Sequence, residues 1–178
     1  MSIQDLRIPL IITIAILALI GLLGGSALYD RAHAVAPLEE TLAEHPDVLD
    51  YEISREEEWN ISVRLREVDR MKDAYLELED EIADVLGNTA FELELKGKNN
   101  DTILRRWNDI EIFVYEAAAT GHFSRMEREI RTRLSSSENY RFDLQVDEKY
   151  IYVQIHGDDG HMYRRIYHGL NQIREEDQ

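Results

Sequence analysis

The chain has 178 residues, no cysteine, and 36 acidic against 20 basic residues, for a formal net charge of −16. That length supports one domain with a real core, or two very small ones. The missing cysteines exclude disulfides, thiolate metal sites, a cysteine nucleophile and a cysteine-borne lipid anchor. The acidic balance disfavours nucleic acid and anionic lipid surfaces, which need clustered positive charge.

Residues 1–7 read as a short N-terminal tail. The following run, Ile8–Leu28, holds no charged residue, with Asp5 and Arg7 before it and Asp30 and Arg31 after it. At about 1.5 Å per residue a helix of this length crosses a bilayer core of roughly 30 Å. The expectation is a single-pass transmembrane helix retained as a signal anchor. The rival is a cleaved signal peptide. Ala32–Ala34 and Ala34–Ala36 have the small-x-small form of a cleavage site, but the run exceeds the usual apolar region of about 7–15 residues. Pro37 would also hinder cutting after Ala36. Gly21 and Gly25 form a G-x-x-x-G, a spacing that would let two such helices pair into a homo-oligomer but that is also common by chance, with ordinary membrane glycines as the alternative reading. Arg7 and the free amino group oppose an acidic far side, which favours a domain outside the cytoplasm.

Residues 29–36 form a stalk, 37–170 a soluble acidic domain and 171–178 a polar tail. Pro37 suits the first turn of a helix through Glu44, because its missing N–H is not needed there. Leu49, Tyr51 and Ile53 alternate as one strand face. Trp59, Ile61, Val63 and Leu65 alternate as the next, joined by the charged turn Arg55–Glu58. Met71, Ala74, Tyr75, Leu78, Ile82, Val85 and Leu86 recur at helical spacing, with Asp69 as the expected cap and Gly87-Asn88 as the stop. Phe91, Leu93 and Leu95 form a third strand, and Lys96–Asp101 a polar loop. Ile103, Trp107, Ile110, Val114 and Ala117 stripe a long helix. Ser124 and Glu127 have capping-box spacing for another, striped by Met126, Ile130 and Leu134.

Three strands close the chain: Tyr140–Val146, one containing Ile151, Val153 and Ile155, and one from Met162 to Tyr167. Gly157-Asp158-Asp159-Gly160 is a tight turn between the last two. The order α-ββ-α-β-α-α-β-β-β predicts an α+β fold: a mainly antiparallel sheet with helices on one face. From Phe91 to Ile155 the order β-α-α-β-β resembles that of POTRA modules, which lie next to membrane anchors.

No catalytic spacing emerges. His156 and His161 flank the Gly/Asp turn, and imidazole with carboxylate suits zinc. Two histidines without a third ligand fit better as turn residues, so no metal is expected there. Glu56–Glu58 and Glu77–Glu81 read as solvated faces. Ser135–Ser137 lack nucleophile-elbow glycines, His122 sits in a helix connection, and Gly97 and Gly121 are too isolated for a phosphate loop. Asn60-Ile61-Ser62 matches a glycosylation acceptor but lies within a strand. No cofactor is expected. Alternation in the last two strands places Ile151, Val153, Ile155, Met162 and Ile166 on one face. Tyr150, Tyr152, Gln154, Tyr163, Arg165 and Tyr167 take the other. If helices cover the first face, the tyrosine face looks outward as a protein interface. Otherwise its rings lie under another element.

The segments MKDAYLELEDEIADVLGNTAFELELKG, FVYEAAATGHF and YIYVQIHGDDGHMYRRI, with the single span before them, resemble a group of membrane-anchored proteins of Gram-positive bacteria. That group carries no assigned activity, so the resemblance implies location and fold unity alone. The resulting expectation is an interaction or scaffold domain at the cell membrane with a protein partner. The alternatives are a sensory or ligand-binding domain and, behind it, a cell-envelope enzyme.

Overall fold

A computed structural model describes residues 34–87, 89–134 and 140–169. Gly21, Gly25 and the whole Ile8–Leu28 run lie outside the described residues, as do Ser135–Ser137. Among the described residues no helix is long and apolar enough to cross a membrane. The chain divides into two compact units, Met1–Leu42 and Ala43–Gln178. Helix α1 (Ala36–Glu44) begins in the first unit and buries Leu38 and Leu42.

The second unit holds two three-stranded sheets. In the first, β1 (Val48–Arg55) pairs antiparallel with β2 (Trp59–Leu65). After helix α2 (Met71–Leu86) the chain returns as β3 (Phe91–Lys96), parallel to β2 on its other side. The register places Tyr51, Val63 and Leu95 in one row and Ile53, Ile61 and Leu93 in the next, so one face is apolar. The opposite face carries Glu52, Ser62 and Glu94. Leu49 departs from the expected alternation. The pairing shifts between Val48 and Asp50, and the extra residue turns its side chain into solvent.

The second half opens with helix α3 (Asp101–Thr120). Asn100 caps it by accepting from the backbone N–H of Thr102 and Ile103 at 3.1 and 2.9 Å, a cap inside the stretch expected to be a polar loop. Gly121, at φ 75°, ends it by donating to Ala117 O. Helix α4 (Phe123–Leu134) starts one residue before the expected capping box, which puts Ser124 inside its first turn. Strands β4 (Tyr140–Val146), β5 (Tyr150–Gly157) and β6 (Gly160–Tyr167) then form an antiparallel meander. Ile151 faces Ile166, Val153 faces Arg164 and Ile155 faces Met162, the face assignment that alternation predicts. Ile151, Val153, Ile155 and Met162 join Ile103, Trp107, Ile110, Val114, Met126 and Ile130 in one core, with Ile166 packed against it.

The α+β class and the order of elements follow the sequence. The single sheet does not form: β3 pairs with β2, so the POTRA-like order is not a POTRA-like pairing. The helices are not confined to one face either. α3 and α4 pack on the Ile151–Ile155 face, whereas α2 lies over the Tyr152 face, with the Tyr75 and Tyr152 ring centroids 5.9 Å apart. The two sheets meet where Lys98 O accepts from His161 N at 3.0 Å. Gly97 and Gly160 stand at that junction. A Cβ on Gly97 would lie 2.3 Å from His161 O, and one on Gly160 2.5 Å from Lys98 O.

Candidate functional site

The tyrosine face is directed inward. Tyr152, Gln154, His156, His161 and Tyr163 are all buried. They lie under α2 and the segment Leu65–Met71 that leads into it. Of the two arrangements that alternation left open, Tyr152 and Tyr163 take the covered one and do not present an outward interface. Alternation shows which side chains share a face but not which face receives a cover.

The cover is held by backbone groups. Gln154 Oε1 accepts from Met71 N at 2.9 Å, and its Nε2 donates to Val68 O and contacts His156 Nε2. Tyr163 OH donates to Arg66 O and accepts from Val68 N, both at 2.9 Å. His161 Nε2 lies 3.1 Å from Leu65 O and so donates to it. α2 itself begins after Arg70, which offers no side-chain cap, and Asp69 stays in solvent instead of capping. Its first N–H is therefore satisfied by a glutamine from another part of the chain, in place of the local cap that most helices use.

His156 accepts a hydrogen bond at Nε2 from the Gln154 amide, which leaves its ring proton on Nδ1, 2.7 Å from Glu67 Oε1. Burial pulls its pKa below the ordinary histidine value of 6.5. Glu67 opposes that pull, and Arg141 and His161 add to it. The unfolded chain thus takes up a proton near pH 6.5 that the folded chain refuses, so stability falls as the pH drops through that value. The melting temperature is expected to fall between pH 7 and 5.5, and to fall less in His156→Gln. Equal falls in both would assign the effect elsewhere. Burial also raises the hydroxyl pKa of Tyr163, up to about 12. His156 and His161, their rings 6.2 Å apart and both hydrogen-bonded, serve this fastening.

Arg165 lies between two rings, its guanidinium carbon 4.2 Å from the Tyr75 centroid and 4.3 Å from that of Tyr150. It also contacts the Tyr75 hydroxyl, which donates to Glu79 at 3.1 Å. Tyr150 packs on Tyr152 and Tyr167. Burial holds the Tyr75 and Tyr152 hydroxyls well above the ordinary tyrosine range. Of the five proposed interface residues only Tyr167 is exposed: Tyr152 and Arg165 pack on Tyr75 of α2, Tyr150 packs on both of them, and Tyr163 holds the segment that leads into the helix.

Among the described residues, two features open to solvent bear on function. One is a cleft of about 630 Å³, lined by Glu52, Glu92 and Glu94 of the first sheet and by Tyr163, Arg164 and Arg165 of β6. The other is the outer side of α3. Leu104, Ile112 and Tyr115 are 39%, 68% and 54% exposed there, with exposed Asn108 and Ala119 in the same row. Their spacing of 4, 4, 3 and 4 residues makes one ridge along the helix. Sequence reading missed it because the continuous inner stripe from Ile103 to Ala117 already satisfied the helical period. The second apolar series was legible at Leu104, Ile112 and Tyr115. No family model, no curated protein and no solved structure matches this chain.

Proposed function

We propose that the protein is a membrane-anchored interaction or scaffold domain that works outside the cytoplasm and engages a protein partner through the outer ridge of α3. The carrying observation is that ridge. Leucine, isoleucine and tyrosine held in line on a folded helix give a partner helix apolar area without any ordering cost in this chain. Anchoring rests on the Ile8–Leu28 run and the outside placement on the charge bias around it. A ligand-binding role is the second reading, supported by the cleft, whose volume falls in the range of about 300–1,000 Å³ typical of small-molecule sites.

The cysteine-free chain allows a direct test. With single cysteines at Ser54 and Ile112, an impermeant maleimide on intact cells is expected to label the first readily. The second should react only after the partner is stripped away. Ile112→Lys should lose the partner while the melt changes by no more than about 0.5 kcal/mol, as for other exposed sites. Labelling of Ser54→Cys only after lysis would reject the outside placement. Prompt labelling of Ile112→Cys in cells would reject the ridge.

A further inference from the structure

We propose that His45, Glu77 and Glu81 form a binding site for a divalent transition-metal ion of the zinc type. His45 follows α1 in the turn His45-Pro46-Asp47, whereas Glu77 and Glu81 stand one turn apart on the same side of α2. One ligating atom from each of the three lies within 4.8 Å of the others.

Burial distinguishes this group from the exposed acidic run Glu56–Glu58. His45 is only 6% exposed, and its Nε2 is buried without a hydrogen-bond partner. Glu81 Oε2 is buried and unpartnered in the same way. An atom of this kind is costly to leave unsatisfied, and native structures rarely leave one so without a reason. One cation between them satisfies both at once and offsets the repulsion of two carboxylates on one helix side.

The donor set selects the ion. An imidazole nitrogen with two carboxylates suits zinc or manganese, and three protein ligands leave a coordination position for water or a partner's side chain. An ion preferring oxygen alone, such as calcium or magnesium, gains little from the imidazole. The hydrogen bond from Asp47 N to His45 Nδ1, at 3.2 Å, sets the cost of binding. With Nδ1 accepting, the ring proton sits on Nε2. Ligation through Nε2 moves that proton to Nδ1 and gives up this bond, which is at the long end of the normal range. The affinity is therefore expected to be modest, about micromolar, and to bring a nitrogen-15 shift change at Nδ1.

The test uses the full-length chain in detergent at physiological salt with excess magnesium. Magnesium occupies weak sites on a surface carrying net charge −16. Zinc should bind at one ion per chain and raise the melting temperature, and cobalt should give a visible ligand-field absorption. Glu81→Gln and His45→Gln should each weaken zinc at least about 10-fold, whereas His122→Gln should not. If His45→Gln fails to fold, Glu77→Gln, at an exposed position, replaces it. Absence of zinc binding by the wild type, equal zinc binding in the Glu77→Gln, Glu81→Gln double variant, or preference for calcium over zinc would each overturn the assignment.

Discussion

Replacing Gln154 by leucine is expected to lower the unfolding free energy by about 3 kcal/mol, a large share of a typical domain's stability. Leucine fills nearly the same space, so the loss is polar. It strands Met71 N–H at the start of α2 and Val68 C=O, both away from water, and removes the partner of His156 Nε2. Two orphaned buried backbone groups at roughly 1–3 kcal/mol each reach that figure. A urea melt checks it. The m-value should stay near wild type unless the Leu65–Met71 segment comes loose in the native state, in which case it falls. A loss under about 1 kcal/mol would mean that water reaches these groups and that the cover is not sealed.

Gly97→Ala should be comparably severe, at about 3 kcal/mol. The added methyl carbon would sit 2.3 Å from His161 O and 2.9 Å from His161 C. These are backbone atoms of a paired strand, so relief requires opening the His161 N to Lys98 O hydrogen bond that joins the sheets. Overpacking of this kind costs typically 1–3 kcal/mol, and the broken hydrogen bond adds to it. The double variant Gly97→Ala, Gly160→Ala separates two outcomes. If the junction opens as a unit, the second change adds little. If each methyl is accommodated locally, the losses add.

Much of this architecture is legible in the residues. Alternation placed Ile151, Val153 and Ile155 opposite Met162 and Ile166, and the Gly157–Gly160 turn fixed the register between those strands. Helical spacing located α2, α3 and α4 because each has one continuous inner stripe. What was not legible depends on partners distant in sequence. Phe91–Lys96 is an adequate strand for either sheet, and its choice of β2 depends on α2 crossing between them. The capping of Met71 by Gln154 has no local signal, since glutamine is an ordinary strand residue and Arg70 an ordinary loop residue. The His45, Glu77 and Glu81 group is likewise invisible, because a histidine after a helix acquires meaning only from the helix that packs beside it.

The fastening of the Leu65–Met71 segment has a consequence for synthesis. Its hydrogen-bond partners on Gln154, His161 and Tyr163 lie 83 to 97 residues further along the chain. While the ribosome is still making α3 and α4, the segment has no acceptors or donors to close on, and α2 lacks the partner for its first N–H. Closing so long a loop has a high entropic cost before any contact offsets it, which slows folding. The nascent chain therefore carries an unfastened Leu65–Met71 segment beside its first sheet until the final hairpin emerges. A product truncated before β5 and β6 is left open to proteases instead of persisting as a stable half-domain.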